Sequence, residues 1–359
     1  MKAPDCFVDG IATALPPLAI NQAAGSAFLK QNYTGRLKPG SLKLMERVFA
    51  HPSVQSRRFA FEDPRALVDE DPDRRAERFA RWALRLSAEA GRAALKKAGL
   101  APRDIDGLVV NTCTGYLCPG ISTYLVEELD LNRSVRAYDL VGSGCGGAVP
   151  NLQLAGALAR ERPGGAVLSV SVEVCSCTFQ MGDDASLIVS NALFGDGAAA
   201  AVVRARPGGF AMVSSASRYA PEYREDIRFV HRNGQLHNQL SARLPGLAAE
   251  TAGALVEELL TANGLRRRDI GRWAIHPGGE NVIKAVQEKL GLADEDMRCT
   301  REVLAGLGNM SSATVWFILE ELRRDGLKPG ELVVMLAFGA GLSAHAYLLK
   351  NVSGSGLDS

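Results

Sequence analysis

An α/β fold made of two similar halves, residues 1–205 and 206–359, is what this sequence predicts, and three repeated segments carry the prediction. Residues 98–105 read AGLAPRDI and residues 263–270 read NGLRRRDI, so Gly99, Leu100, Arg103, Asp104 and Ile105 match Gly264, Leu265, Arg268, Asp269 and Ile270. GSGCGGA at 142–148 corresponds to GLGNMSSA at 306–313, with Cys145 opposite Asn309. FGDGAAAAVV at 194–203 corresponds to FGAGLSAHAY at 338–347. The three pairs keep the same order, as an internal duplication requires. The last pair is more closely spaced, which places an insertion in the first half between 175 and 193.

The elements follow from these anchors. Each copy of the first motif follows an amphipathic helical stretch, 77–97 and then 246–262, and precedes an apolar strand, GLVVN or RWAIH. A strand over 135–141 leads through the glycine turn into a helix over 146–161. AVLSVSVEV at 166–174 and ELVVMLAFG at 331–339 read as strands buried on both faces, with helices packed against them. A two-fold related pair of halves brings corresponding helix starts together at the junction. Any site there draws on both halves.

Composition narrows the function. Lys and Arg total 41 against 40 Asp and Glu, so the net charge of +1 provides no basic field for nucleic acid. With 47% hydrophobic and 23% charged residues the chain reads as an ordinary globular protein. Seven irregularly spaced cysteines argue against a disulfide framework and for a reducing, cytoplasmic setting. The first twenty residues, with an early Asp pair and paired Pro, read poorly as a signal peptide. No run of apolar residues is long enough to span a membrane, so no integral membrane contact is expected.

Three side chains stand at glycine-flanked turns. Cys145, between Gly144 and Gly146 at a predicted helix start, would meet unpaired N–H groups that favour thiolate, although free cysteines are often plain core. His276 ends the strand RWAI before Pro277, Gly278 and Gly279, at a strand's C-terminal end where α/β folds place ligands. In the repeat it occupies the place of Asn111. His51, His231, His237 and His345 read as ordinary surface or core imidazoles. Asn309 occupies the place of Cys145, either as a helix N-cap or as a donor to an oxygen that becomes negative during reaction.

GSGCGGA, NALFGDGAAAAVV, WAIHPGG, GNMSSATVWFILEEL and FGAGL together resemble the type III polyketide synthases, the chalcone-synthase-like branch of the thiolase superfamily, over about residues 6–350. The resemblance implies a thiolase-like, five-layered αβαβα fold and a homodimer acting on acyl-CoA and malonyl-CoA without a carrier domain, a cofactor or a metal. The family's nucleophile falls on Cys145, its histidine on His276, its asparagine on Asn309 and a gatekeeping aromatic on Phe194. Cys145 as thiolate, paired with His276 as imidazolium, would hold the starter acyl group. His276 and Asn309 would stabilise the enolate left when malonyl-CoA loses carbon dioxide.

The family's pocket wall falls on Cys113, Thr114, Cys175, Thr178 and Ser311, and Cys118 matches a position that reaches into the partner's cavity. CSC at 175–177 reads as substrate wall rather than as a zinc site. Coenzyme A phosphates would be met near Arg47 and Arg58, with Lys43 on the same helix face as Arg47 and Arg57 next to Arg58, and near Gly278 and Gly279. A second gatekeeping aromatic is missing from LHNQL at 236–240, and Ala340 replaces the family's turn proline. VEVCSCTFQ and GCGGAVPNL look nearest to the bacterial alkylpyrone and alkylresorcinol synthases, with a long fatty acyl starter. Two rivals are a ketosynthase III-like enzyme fed by acyl carrier protein and a cysteine-dependent thioesterase. A carrier-fed enzyme should show a basic docking patch, and a thioesterase should release no carbon dioxide. A binding module gives no reason for Cys, His and Asn at three such turns.

Overall fold

Nine strands join into one sheet in the computed structural model, which describes residues 5–162 and 164–353. The first half runs β1 (Phe7–Ala14), β2 (Leu18–Asn21), α1 (Gln22–Tyr33), α2 (Pro39–Phe49), β3 (Ser56–Phe59) and α3 (Pro72–Ala98). It continues with β4 (Ile105–Asn111), α4 (Ile121–Glu128), β5 (Arg136–Leu140), α5 (Ala148–Glu161), β6 (Ala166–Val174), α6 (Ala185–Leu193) and β7 (Asp196–Arg204). The second half runs β8 (Phe210–Tyr219), β9 (Ile227–Arg232), β10 (Gln235–Leu240), α7 (Leu244–Ala262), β11 (Arg272–Ile275) and α8 (Glu280–Leu290). It ends with α9 (Arg298–Leu307), α10 (Thr314–Arg324), β12 (Leu332–Gly339) and β13 (Ser343–Asn351).

From the centre outward the sheet reads β1-β7-β6-β4-β5 on one side and β8-β13-β12-β11 on the other. Parallel pairs β4–β6 and β11–β12 correspond, as do antiparallel pairs β6–β7 and β12–β13. The sides meet where β1 pairs with β8 through Phe7↔Ala211 and Val8↔Phe210. The loop from β7 to β8 contains residue 205. The correspondence has one gap, because β5 at the first half's edge has no partner strand in the second.

The repeated AGLAPRDI and NGLRRRDI turns are alike in detail. Gly99 and Gly264 both take left-handed φ values, +64° and +66°, which cost a glycine little. Beyond them the Asp104 carboxylate accepts from the Ala101 N–H at 2.8 Å and the Asp269 carboxylate from the Arg266 N–H at 2.7 Å. The amphipathic helix expected over 77–97 begins earlier, at Pro72, because the Asp71 carboxylate caps the N–H groups of Asp73 and Arg74.

Alternation along buried strands builds the layers. Val109, Val167, Ala199, Ala201 and Val203 of one side, with Val333, Met335 and Ala337 of the other, bury against α5 and α10 in the middle. Leu108, Val110, Leu168, Val170 and Val172 face outward onto α3 and α4. Trp273, Ile275, Val334 and Leu336 face α7 and α8. The order is therefore α, β, α, β, α, the thiolase-like arrangement. A strand sandwiched in this way is buried on both faces, and AVLSVSVEV is apolar but for Ser169, Ser171 and Glu173 on one of them.

Candidate active site

Two turns from opposite halves pack together at the heads of the central helices. Cys145 sits in a single 3₁₀ turn, Gly144–Gly146, before α5, and Asn309 stands just ahead of the turn Ser311–Ala313 before α10. This corrects the helix expected from 146: the N–H groups of Gly146 and Gly147 bond the carbonyls of Ser143 and Gly144, and α5 begins at Ala148. Two glycines make the turn possible. Gly144 has φ +55°, and a Cβ there would stand 2.9 Å from the Ala340 nitrogen. A Cβ on Gly339 would stand 2.2 Å from the Ser143 carbonyl.

The sulfur of Cys145 takes hydrogen bonds from the Ser311 hydroxyl, at 3.4 Å, and from the Asn309 carboxamide. Asn309 is held on three sides. Its N–H bonds the Leu193 carbonyl at 2.8 Å, its carbonyl takes the Gly195 N–H at 2.9 Å, and its Oδ1 takes the Ser311 N–H at 2.8 Å. Its amide N–H₂ is left to face the sulfur. Ser311 carries the unusual φ of +48°, a strained value for a side chain of its type, and this directs its N–H onto Asn309. Phe194 bridges to Asn309 in parallel and so shares its placement.

His276 follows β11, with its N–H on the Leu336 carbonyl at 2.8 Å and its ring edge-on to Phe338 at 5.5 Å. It is 1% exposed, yet neither ring nitrogen has a hydrogen-bond partner. Cys145 and His276 are thus not hydrogen-bonded to each other in the resting site. The thiolate–imidazolium pair expected from the sequence is corrected as well. Burial pushes the Cys145 thiol up to about 12 despite the bonds from Ser311 and Asn309. Burial lowers His276 to about 3. Desolvation penalises both charges, so the resting groups are a thiol and a neutral imidazole.

Cys145 opens into a small cavity of about 50 Å³, and Cys113, Thr114, Cys175, Thr178, Phe194 and Ser311 line it together. The β9–β10 hairpin covers it with Ile227, Phe229, Asn238 and Leu240. Phe229 pairs with Asn238 across the hairpin, so an aromatic does face the cavity, from β9 rather than from the 236–240 segment. A larger cavity of about 260 Å³ adjoins it and shares Cys175, Thr178, Phe194 and Asn238.

Other expected residues lie elsewhere. Arg47 is exposed on the last turn of α2, as is Lys43 one turn earlier, and Arg58 donates to the Pro17 carbonyl at 2.9 Å; none lines either cavity. The neighbour Arg57 does, because β3 alternates and turns it inward. Gly278 packs against the Phe338 ring and Val282, and Gly279 against Leu193. Cys118 is exposed, away from this chain's cavity.

Glu173 was not anticipated. Fully buried at the end of β6, it accepts from the Cys113 N–H at 3.0 Å, the Thr114 hydroxyl at 2.9 Å and the Ser312 hydroxyl at 2.5 Å. Burial raises its pKa, and its charge in turn helps to push up the Cys113 and Cys145 thiols. It ties the end of the first-half strand to the second-half turn. The signal was there: a single acid in a nine-residue strand otherwise free of charge.

Comparison with known proteins shows the family and the fold. Residues 21–215 match the family described as FAE1/type III polyketide synthase-like protein, and residues 211–353 match the C-terminal domain of chalcone and stilbene synthases. The 3,5-dihydroxyphenylacetyl-CoA synthase of Streptomyces toyocaensis is 31% identical over 95% of this chain and 92% of its own. The alpha-pyrone synthesis polyketide synthase-like Pks18 of Mycobacterium tuberculosis is 31% identical over 95% of this chain and 90% of its own. Among solved structures, the C-terminal type III polyketide synthase domain of Steely1 from Dictyostelium superposes with TM-score 0.90 at 26% identity, covering 97% of this chain and all of that one. PKS-I of the brown alga Ectocarpus siliculosus gives 0.89 at 27%, covering 98% and 100%.

Proposed function

The chain belongs to the type III polyketide synthases, acyltransferase-type condensing enzymes, and from that premise we propose that it extends an acyl-CoA starter by decarboxylative condensation with malonyl-CoA. The observation that carries the reading is the meeting of Cys145 and Asn309, from duplicated turns, together with a buried His276 at the end of β11 whose ring nitrogens are both unpartnered. Unpaired buried nitrogens are rare unless a ligand completes them.

In this reading the Cys145 thiol passes its proton to His276 as the sulfur attacks the starter thioester, which releases coenzyme A and leaves an acyl-Cys145. The neutral thiol and imidazole suit that order, because charge forms only when a substrate fills the site. Malonyl-CoA then loses carbon dioxide. The electron pair of the broken bond becomes an enolate, whose oxygen takes hydrogen bonds from His276 and the Asn309 amide. The enolate carbon attacks the acyl-Cys145 carbonyl, and the thiolate leaves. No general base is required, because decarboxylation itself supplies the carbanion.

The starter reading is a fatty acyl chain, extended and then cyclised to an alkylpyrone or alkylresorcinol. The larger, mainly apolar cavity past Phe194 supports it, and so does the mycobacterial relative, an alpha-pyrone synthesis polyketide synthase-like protein. A homodimer is supported by Tyr116, Tyr124, Tyr138 and Val141, exposed around the β5 edge and the loop carrying Cys118. No helix among the described residues is long and apolar enough to cross a membrane.

The test is a product assay with malonyl-CoA and a series of acyl-CoA starters, with carbon dioxide and products followed by mass spectrometry. Chain-extended pyrones or resorcinols from long starters, carbon dioxide release, and their loss in Cys145→Ala with slow malonyl decarboxylation retained are expected. Free acid without carbon dioxide would establish the thioesterase instead, and extension only from malonyl-carrier protein would establish the ketosynthase III-like rival.

A further inference from the structure

Arg57 is 4% exposed, and the condensation above gives it no part. Its Nε donates to Gln22 Oε1 at 3.0 Å, and its Nη1 donates to the carbonyls of Asn191 and Phe194 at 2.6 and 2.9 Å. The Asp196 carboxylate attracts the guanidinium, yet it accepts its own hydrogen bonds from the Ala60 N–H and from the N–H and hydroxyl of Ser176. The rings of Phe49 and Phe59, with centroids 5.4 and 4.9 Å from the guanidinium carbon, flank it. A cation enclosed in this way is costly to bury, and its Nη1 serves one place, the C-terminal end of α6.

The last carbonyls of a helix have no partner within it. At this end Arg57 takes those of Asn191 and Phe194, Gln22 Nε2 takes that of Ala192 at 2.9 Å, and the Asn309 N–H takes that of Leu193 at 2.8 Å. A cation also complements the negative end of the helix. Asn309 therefore shares the capping of α6 with Arg57 and Gln22, which are bonded to each other. Arg57 touches the approach to Asn309 as well. Its methylene stem lies against Gly308, where a Cβ would stand 2.7 Å from Arg57 Cγ and 2.7 Å from the Leu193 carbonyl oxygen. The chain entering Asn309 thus runs between the Arg57 stem and the end of α6, and Gly308 passes there at φ +73°.

We propose that Arg57 is a positioning residue for the decarboxylation step: by fixing the end of α6 and the chain that enters Asn309, it sets where the Asn309 carboxamide meets the enolate oxygen. The inference rests on the condensing activity proposed above and assigns, within it, the group that holds the oxyanion donor. The division of labour is plain in the contacts. The Ser311 N–H on Oδ1 sets the rotation of the amide, and Arg57 sets the backbone that carries it. Decarboxylation is the step that asks most of this placement, because a full charge develops on the oxygen that Asn309 binds. Lysine is no substitute for the arginine, since a single ammonium cannot reproduce the planar fork that reaches Gln22, Asn191 and Phe194 together.

The experiment measures two half-reactions of the full-length protein separately. One is carbon dioxide release from malonyl-CoA without a starter. The other is the single-turnover release of coenzyme A as a short acyl-CoA, small enough to stay in the Cys145 cavity, loads that thiol. The readout is the ratio of the first rate constant to the second. Asn309→Ala provides the reference and should lower the ratio by about 10²–10³-fold, the range for an oxyanion donor. Arg57→Met keeps the stem against Gly308 and removes every donor. It should lower the ratio by about ten- to a hundredfold, since a displacement on the order of 1 Å is enough. Arg57→Lys, which keeps the charge without the fork, should fall between Arg57→Met and the unaltered protein. Thermal melts identify variants that fold.

A ratio that does not fall in folded Arg57→Met, whether both half-reactions persist or both weaken alike, would overturn the inference and leave condensation standing, with Arg57 a brace of the fold. If Arg57→Met does not fold, Arg57→Lys decides by the same rule, and failure of both to fold would overturn the inference as well. So would a ratio that falls in the Arg57 variants but not in Asn309→Ala, because the effect would then not pass through that amide. An unaltered protein that neither loads a starter nor releases carbon dioxide would overturn the condensing activity itself, and this inference with it.

Discussion

Asn111 and His276 occupy equivalent places, at the C-terminal ends of the corresponding strands β4 and β11, and they are treated in opposite ways. Every polar group of the Asn111 side chain is spoken for: Nδ2 donates to the Ser312 hydroxyl at 2.8 Å, while Oδ1 accepts from Asn151 at 2.9 Å and from Ser171 at 2.7 Å. His276 is equally buried and has neither ring nitrogen satisfied. A satisfied buried amide locks two halves together. An unsatisfied buried imidazole is a place kept for something else. The duplication thus made one strand end structural and left the other for chemistry.

Exchanging the two residues sharpens the contrast most. His276→Asn should fold, since it trades one unsatisfied buried polar group for another, but should lower kcat by about 10²–10³-fold, the range for removing a positioned proton carrier or oxyanion donor. Steady-state kinetics beside a thermal melt separates the two. A collapse in Tm would show that His276 is structural after all. The reciprocal Asn111→His should destabilise the fold by about 2–4 kcal/mol in urea unfolding, because it strips partners from Asn151, Ser171 and Ser312 inside the core. Wild-type stability in that variant would mean that the network is not what joins the halves.

The smallest effect is in the pH dependence of stability. His276 falls from 6.5 to about 3 on burial, so between those values the unfolded chain binds a proton that the folded chain does not. Its contribution to stability is fully present above pH 6.5 and declines as pH falls toward 3, with a slope of no more than about 1.4 kcal/mol per pH unit. Denaturant titrations at several pH values should show a shallower decline in His276→Asn over that interval. An unchanged slope would place the imidazole in contact with water or with a charge.

Part of this site was legible in residue order. The Cys145–Asn309 correspondence came from two glycine turns at matching places, and both side chains do meet. His276 stood out because the repeat puts an amide where it puts a ring. Arg57 was read only alongside Arg58 as part of a basic run, and Glu173 was not singled out, because the importance of both is a matter of burial. Arg57 and Arg58 are adjacent and chemically identical, and only the alternation of β3 decides that Arg57 enters the cavity while Arg58 reaches the Pro17 carbonyl. Phe229 reaches the cavity from β9 rather than from the 236–240 segment of β10, because hairpin register sets which residue faces inward.

Residue order alone determined the duplicated α/β architecture and the turns that carry the reactive side chains. Apolar periodicity and glycine conformation are local properties, written within a few neighbouring residues. Tertiary packing decided which charges are desolvated, which polar atoms lack partners and which of two neighbouring arginines lines the cavity. Those depend on the distance between residues far apart in the chain, and solvation has no meaning until that distance is set.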